Sequence, residues 1–306
     1  MIDVFNAVLP VFMLILLGYG LKTFAFIPKT GWDGLERLTY YLFLPALLFY
    51  SFAQHPASDG QILKTTTVVM ILMFAAATLV SFFVGRQILG LDNKTFASFF
   101  QGSIRFNNYI GLSLATALFG KDGVTAYGIM ILVAIPLANF LTLAVMAHYA
   151  HEDAFSLKRV LHRTAFNPLV LATVAGFVVS LMPLSFPLGA SILKTLSAAA
   201  LPGGVLGIGA ALSMGHVKHA WPAVAGSCVI KLLVFPALAV GLLSFYDAPA
   251  PWGQVLLIFA ATPCATSCYI LSKQMNANAE AMASISAVMT LASAITLTFW
   301  IYGATV

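Results

Sequence analysis

The residues best suited to bind a ligand lie together in one short polar stretch of an apolar sequence. Residues 101–108 read Gln-Gly-Ser-Ile-Arg-Phe-Asn-Asn within a long hydrophobic run. An arginine at the centre of a membrane helix costs about 2.5–3.5 kcal/mol on insertion scales, so Arg105 should face the protein interior or a watery cavity. Asn107 and Asn108 are poor helix formers that compete for backbone hydrogen bonds, so the helix should break there. Guanidinium and amide donors at a break suit an anion, and a carboxylate fits best.

A second apolar run, residues 253–273, has a proline near its middle. Pro263 lacks a backbone N–H and clashes with the preceding turn, so this helix should also break or kink. Thr262, Thr266 and Ser267 offer hydroxyl groups around that point. We therefore expect these three side chains to contribute to the same anion site.

Simpler roles are open for the same residues. The two asparagines could hydrogen-bond a neighbouring helix, as intramembrane amides often do. Arg105 could pair with a backbone carbonyl or extend to the cytoplasmic face, and the long stem of Lys231 would allow the same. Pro263 alone is weak evidence, because proline kinks are common in membrane helices.

The overall composition indicates that most of the protein surface faces lipid. Of 306 residues, 60% are hydrophobic and 8% are charged, whereas soluble domains are about one quarter charged. Such a chain cannot cover a globular surface with polar groups, which excludes a cytosolic enzyme and a free nucleic-acid binder. The three cysteines lie in apolar runs and indicate buried thiols. No Walker sequence, metal-ligand set or nucleophile–base pair is present, so we expect no catalysis, no metal and no cofactor.

Ten apolar runs are long enough to cross a bilayer as helices. The predicted fold is therefore an all-α integral membrane protein. The runs are 2–21, 34–54, 64–88, 95–118, 125–147, 166–183, 187–213, 220–245, 253–273 and 278–302.

The basic residues in the connections predict the orientation, because cytoplasmic loops are enriched in lysine and arginine. One set of alternate connections holds ten of them and the other holds three, which places both termini outside the cytoplasm of an inner (plasma) membrane protein. The larger set is Lys22, Lys29, Arg37, Arg86, Lys94, Lys158, Arg159, Arg163, Lys218 and Lys273; the smaller is Lys64, Lys121 and Lys194.

Unusual residues recur at shifts of 157 to 160 positions. These matches predict two five-helix halves, residues 1–150 and 166–306, joined by a basic cytoplasmic connection at 151–165. Because five is odd, the second half must be inverted, as in many secondary transporters whose broken helices meet at the substrate site. The matching pairs are Pro10 and Gly18 with Pro168 and Gly176, Leu44-Pro45 with Leu201-Pro202, and Tyr109-Ile110 with Tyr269-Ile270.

At these residues the chain resembles the auxin efflux carrier family, which includes the plant PIN-formed carriers and bacterial malonate and malate permeases. The resemblance covers nearly the full length. It rests on Leu44–Phe49, Asn108–Leu112, Leu118–Gly120, Asn167-Pro168, Ala261–Pro263 and Ala279–Ser284.

The resemblance implies ten helices in two inverted repeats, with broken helices 4 and 9 crossing at the substrate site. It also implies that an asparagine in helix 4 helps to hold a substrate carboxylate. The plant carriers have a proline at the helix 4 break, whereas this sequence keeps Asn107 and Asn108 without one. The shape of that break is therefore open.

The sequence thus predicts a secondary transporter of a small organic anion, with Pro45 and Pro202 shaping the scaffold and one helix bundle rocking against another. A sodium-coupled carrier and a membrane receptor that binds without transport are the alternatives. No acidic residue lies at either break, so a cation site built from carboxylates there is not expected. The expected partners are the substrate and the lipid bilayer, with no nucleic acid, and a homodimer is one option for the assembly.

Overall fold

A computed structural model describes residues 2–54, 60–150, 156–182, 187–212, 220–246 and 250–305. These residues form helices joined by short turns, and no strand occurs among them. Residues 151–155 of the predicted connection lie outside the described residues. The helices are α1 (Ile2–Thr23), α2 (Lys29–Leu38), α3 (Leu44–Gln54), α4 (Gly60–Phe82), α5 (Asn93–Ile104), α6 (Asn108–Tyr149), α7 (Leu157–Ala165), α8 (Pro168–Ser180), α9 (Pro187–Ala211), α10 (Trp221–Val229), α11 (Phe235–Leu243), α12 (Trp252–Ala261), α13 (Cys268–Gln274) and α14 (Ala279–Thr305).

Six helical stretches of the described residues are long and apolar enough to cross a membrane, and α8 and α12 are shorter apolar helices. The outer surface is apolar as well; on α14, Ile295 is 77% exposed and Phe299 is 65% exposed. An all-helical protein with such a surface fits a lipid bilayer. The six stretches are Phe5–Thr23, Leu63–Ile88, Asn93–Tyr149, Gly189–Ala211, Trp221–Leu243 and Ala279–Gly303.

The stretch 93–149 contains two of the predicted runs, 95–118 and 125–147. The chain bends between them at Gly120, whose φ of 56° and ψ of −134° are readily adopted only by glycine. A Cβ at Gly123 would collide with the carbonyl oxygen of Ala115, so the two parts of α6 pack closely beside the bend.

Two π-helical turns widen the helices immediately before a proline. The turn Thr39–Phe43 leads into Leu44-Pro45, and the turn Ile230–Val234 leads into Phe235-Pro236. The N–H of Leu44 donates to the carbonyl of Thr39, and the N–H of Phe235 donates to the carbonyl of Ile230, each five residues earlier. A wider turn gives the proline ring room and lets the helix continue.

Helices α1 and α9 approach closely through glycine. A Cβ at Gly18 would collide with the carbonyl oxygen of Leu206, and one at Gly209 would collide with that of Ile15. Small residues allow this backbone approach in membrane helices. Gly209 of α9 and Gly18 of α1 therefore serve helix packing.

Gly209→Ala should lower the apparent melting temperature of the purified protein, because the new methyl group meets backbone and overpacking costs about 1–3 kcal/mol. Gly207→Ala is the matched control on the same helix, since a Cβ there has no atom within 4 Å. The control should be neutral or gain up to about 1 kcal/mol from helix propensity. Equal melting temperatures for the two variants would contradict the close α1–α9 contact.

Candidate functional site

The first helix break separates α5 from α6. Helix α5 ends at Ile104, and residues 105–107 are extended or irregular before α6 begins at Asn108. The side-chain oxygen of Asn107 accepts hydrogen bonds from the backbone N–H groups of Tyr109 (3.0 Å) and Ile110 (3.2 Å). An asparagine cap of this kind starts a helix without a proline. The break predicted near Asn107 and Asn108 is confirmed.

The second break separates α12 from α13. Helix α12 ends at Ala261, and α13 begins only at Cys268. Pro263 lies between them and is buried, while the Thr262 hydroxyl donates to the carbonyl of Phe259 at 2.7 Å. The break predicted at Pro263 is also confirmed.

The backbone turn before α13 already engages its first N–H groups. The backbone N–H groups of Cys268, Tyr269 and Leu271 donate to backbone carbonyls. The acceptors are, in that order, the carbonyls of Ala265, Thr266 and Ser267. The second break is therefore a tight turn, and it offers fewer free backbone donors than a bare helix N-terminus.

Lys231 stabilises the end of α12. Its side chain is fully buried, and its Nζ donates to the carbonyl of Ala260 at 2.7 Å and lies 4.0 Å from the ring centroid of Phe235. The break deprives that carbonyl of its usual helical partner, because the N–H of Cys264 contacts the sulfur of Met289 instead. A cation is also favourable at a helix C-terminus. Lys231 therefore caps a helix end and does not extend to the membrane surface.

A hydrogen-bonded ladder ties α5 to the region of the second break. The amide nitrogen of Gln101 donates to the carbonyl of Cys268 (2.9 Å) and the hydroxyl of Ser272 (3.0 Å). One turn earlier, the Ser98 hydroxyl donates to the carbonyl of Asn278, whose own amide donates to Thr95. The two breaks are therefore held in a fixed relation by side chains on one face of α5.

Asp92 begins this ladder by capping α5, and its carboxylate accepts from the N–H groups of Lys94 and Thr95. Burial alone would raise the pKa of Asp92, but the hydrogen bonds from Thr95 and Lys94 hold it below its ordinary value. Asp92 therefore carries a carboxylate that anchors the start of the helix.

A cavity of about 560 Å³ lies between the two breaks, and we call it the asparagine cavity. Five of the six predicted binding residues line it: Arg105, Asn107, Asn108, Thr266 and Ser267. Asn107 has only 1% of its surface exposed, and its Nδ2 is buried with no hydrogen-bond partner, as is the Oδ1 of Asn108. A buried amide donor without a partner is costly, which makes it a candidate ligand for a bound anion.

Arg105 supplies positive charge in the wall of the asparagine cavity. It is the first residue after α5, with an extended ψ of 160°, and its side chain is half-buried. Its backbone N–H donates to the carbonyl of Gln101. Within the described part of the chain, no protein group accepts a hydrogen bond from its guanidinium. The guanidinium is therefore available for an anionic ligand.

Four predicted residues do not line the asparagine cavity. Thr262 and Pro263 lie within the second break and are buried, but neither is among the residues that line the cavity. Pro45 lies at the start of α3 after its π-helical turn, and Pro202 lies within α9, which continues through it. Pro263 lies at the interruption between α12 and α13, whereas the scaffold role of Pro45 and Pro202 stays a prediction.

Several lining residues were not identified from the sequence. Tyr40 and Asn167 meet in the wall, where the Asn167 amide donates to the tyrosine hydroxyl at 3.1 Å. Asn139 also lines the cavity, and it was recognisable as the one amide side chain in the run 125–147. Asp33 and Glu36 reach the cavity from α2, so carboxylates lie near the breaks although none is in them.

Comparison with known proteins identifies the family. A family model described as "Membrane transport protein" matches residues 3–154 and 153–301, which together span nearly the whole chain. The chain belongs to the auxin efflux carrier family of membrane transport proteins.

Relatives of this auxin efflux carrier family member are transporters by name. A protein of Rhizobium meliloti named "Putative malonate transporter" is 26% identical over 99% of this chain and 96% of its own length. An uncharacterized transporter of Methanothermobacter thermautotrophicus is 23% identical over 96% of both chains. Another, from Methanocaldococcus jannaschii, is 23% identical over 96% of this chain and 97% of its own.

In this carrier family member, Gln101→Leu should lower the apparent melting temperature. The change leaves the Cys268 carbonyl and the Ser272 hydroxyl without their donor, which costs about 1–3 kcal/mol in a buried site. Gln87→Leu is the matched control, because Gln87 is exposed, and it should leave the melting temperature unchanged. Unfolding monitored by tryptophan fluorescence in detergent measures both, and a Gln101→Leu curve that coincides with wild type would refute the ladder.

Proposed function

We propose that the protein is a secondary carrier that moves a small organic anion, most simply a carboxylate, by alternating access. One observation carries the proposal: the unpartnered amide Nδ2 of Asn107 is buried at a helix break in the wall of the same cavity as Arg105. An amide donor and a guanidinium are complementary to the two oxygens of a carboxylate. The name of the Rhizobium meliloti relative, which specifies malonate, is consistent with this class of substrate.

The proposed architecture has ten membrane-spanning segments in two inverted five-helix halves, 1–150 and 166–306, connected at 151–165. Both breaks lie in segments that the sequence repeat pairs, which supports this arrangement. The proposed orientation places both termini outside the cytoplasm of the plasma membrane, because ten of the thirteen basic residues in the connections then lie inside.

In the proposed binding mode, the substrate carboxylate accepts from the Nδ2 of Asn107 and from Arg105. The hydroxyls of Thr266 and Ser267 approach from the second break, in the same cavity wall. Because the two breaks belong to different halves of the chain, a substrate between them contacts both halves. One helix bundle then rocks against the other to exchange access between the two sides.

Anion transport coupled to a cation is the second candidate function, and one observation favours it. Asp33 and Glu36 line the asparagine cavity, and carboxylates are the ligands that small hard cations prefer. In this form of the proposal, a sodium ion or proton bound at these carboxylates drives anion transport. A sodium gradient or a pH gradient imposed across proteoliposomes distinguishes the coupled carrier from an uncoupled one.

Asn107→Asp should weaken carboxylate binding in the asparagine cavity and impair transport while keeping the fold. Aspartate keeps the oxygen that caps α6, but it removes the amide donor and puts a negative charge beside the anion. Binding should weaken at least about tenfold, equivalent to about 1.4 kcal/mol. The measurements are a thermal shift of the purified protein and uptake of labelled acetate, lactate, malonate, malate and succinate by proteoliposomes.

Asn276→Asp is the control, because it makes the same charge change at an exposed residue outside the cavity wall. It should retain full binding and uptake. Anion binding without uptake of any panel member would identify a receptor and overturn the carrier proposal. Full activity of Asn107→Asp would show that the binding site lies elsewhere.

A further inference from the structure

A second cavity, of about 590 Å³, lies among α1, α3, α6 and α9. Among the described residues in its wall, only Lys121 and Lys194 are charged, and we call it the lysine cavity. These are two of the three basic residues that the sequence assigns to the sparsely charged face of the protein. Apolar side chains form most of the remaining wall, including Val11, Leu14, Leu47, Val124 and Val205.

The lysine cavity and the asparagine cavity are lined by different turns of the same helices. On α6, Asn108 and Tyr109 line the asparagine cavity, whereas Ser113 and Lys121 line the lysine cavity. On α3, Leu44 belongs to the first and Leu47 to the second. Three or four residues of helix span about 5 Å. The two cavities are therefore separated by about one helical turn.

The barrier between the cavities is built from close-packed side chains. Leu44 and Leu48 on α3 are fully buried. The ring of Tyr109 packs against Gly204 of α9 so closely that a Cβ there would overlap it. The barrier is thin, and a movement of one helix against another would open it.

A polar group without a partner lies in the wall of the lysine cavity near this barrier. Ser113 is 8% exposed, and its hydroxyl is buried with no hydrogen-bond partner. A hydroxyl can donate to a carboxylate oxygen. A buried polar group without a partner in the protein indicates a bound ligand. This observation is independent of the positive charge of Lys121 and Lys194.

We propose that the lysine cavity is a second binding site for the transported organic carboxylate, on the membrane face opposite to the asparagine cavity. The proposal rests on the proposed carrier function and adds a second site to it. Lys121 and Lys194 attract the anion to the cavity, the apolar wall accommodates its hydrocarbon part, and the Ser113 hydroxyl binds it beside the barrier. The carboxylate occupies this site before or after it crosses to Asn107.

The test compares transport from the two faces. Lys121→Gln with Lys194→Gln removes both charges, and Lys64→Gln is the control because Lys64 is exposed and lies outside the cavity wall. Inside-out and right-side-out membrane vesicles from the same cells are supplied with the fastest-transported carboxylate of the panel. From the lysine face, the KM of the double variant should rise about 3- to 10-fold at low salt, within the range of electrostatic steering.

Salt provides an internal check on that result. At 0.15 M ionic strength the Debye length is about 8 Å, so the difference between wild type and double variant should shrink as salt rises. The KM from the opposite face and the maximal rate should stay at wild-type values. Ser113→Val should raise the KM from the lysine face at every salt concentration, because it removes a hydrogen bond and no charge.

A binding measurement separates this site from the asparagine cavity. Equilibrium dialysis with the same labelled carboxylate, on purified Asn107→Asp protein, should detect weak residual binding that disappears when both lysines are also changed. An unchanged KM in the double variant, an equal change from both faces, or no residual binding in Asn107→Asp would each overturn the second site. A wild-type protein that transports no panel member would overturn the carrier function itself, and the second site with it.

Discussion

The backbone polar groups at the two helix breaks must be satisfied inside an apolar bundle, and the rest of the structure is arranged to meet that constraint. A free N–H or C=O group in a hydrocarbon environment costs several kcal/mol. Asn107 therefore accepts from two N–H groups at the start of α6, and Lys231 donates to the Ala260 carbonyl at the end of α12. Gln101 reaches across from α5 to the Cys268 carbonyl. Each of these polar residues is costly in a membrane protein; Asn107 and Lys231 satisfy backbone groups that a break exposes, and Gln101 ties α5 to α13.

The same constraint distinguishes ligand-binding groups from structural ones. Gln101, Thr262 and Lys231 all donate to backbone carbonyls, so their donors are engaged. Asn107 differs because its oxygen caps α6 while its nitrogen has no partner. The guanidinium of Arg105 is the neighbouring charged donor in the same wall. The candidate site is thus defined by the donors that remain after the backbone has been satisfied.

Local chemistry made the breaks predictable from the sequence. Pro263 cannot donate to a helix and adjacent asparagines favour caps, so each pattern acts within its own helix. The partners of Lys231 and Tyr40, and the place of Asn139 in the cavity wall, depend on which helices meet, and one sequence does not contain that information. The bend at Gly120 was missed because a glycine in an apolar run can adopt either an ordinary helical φ or the positive φ of 56° that it has here. The ten-segment inverted arrangement remains a prediction.

The contacts also indicate which helices would move together in the proposed cycle. Glycine joins α1 to α9, and Gly176 of α8 packs on the Phe49 carbonyl of α3, so these four helices share backbone-to-backbone contacts. Hydrogen bonds join α5 to α13, and the Trp300 indole of α14 donates to the Leu232 carbonyl beside Lys231, so the broken helices share a polar framework. The ring of Tyr109 packs against Gly204 at the contact between these two sets of helices. The two cavities are lined by helix positions about one turn apart, so in the proposed cycle a shift of about 5 Å between the two sets of helices would exchange access. In such a cycle neither break would need to unfold, and the buried hydrogen bonds at the breaks would be kept.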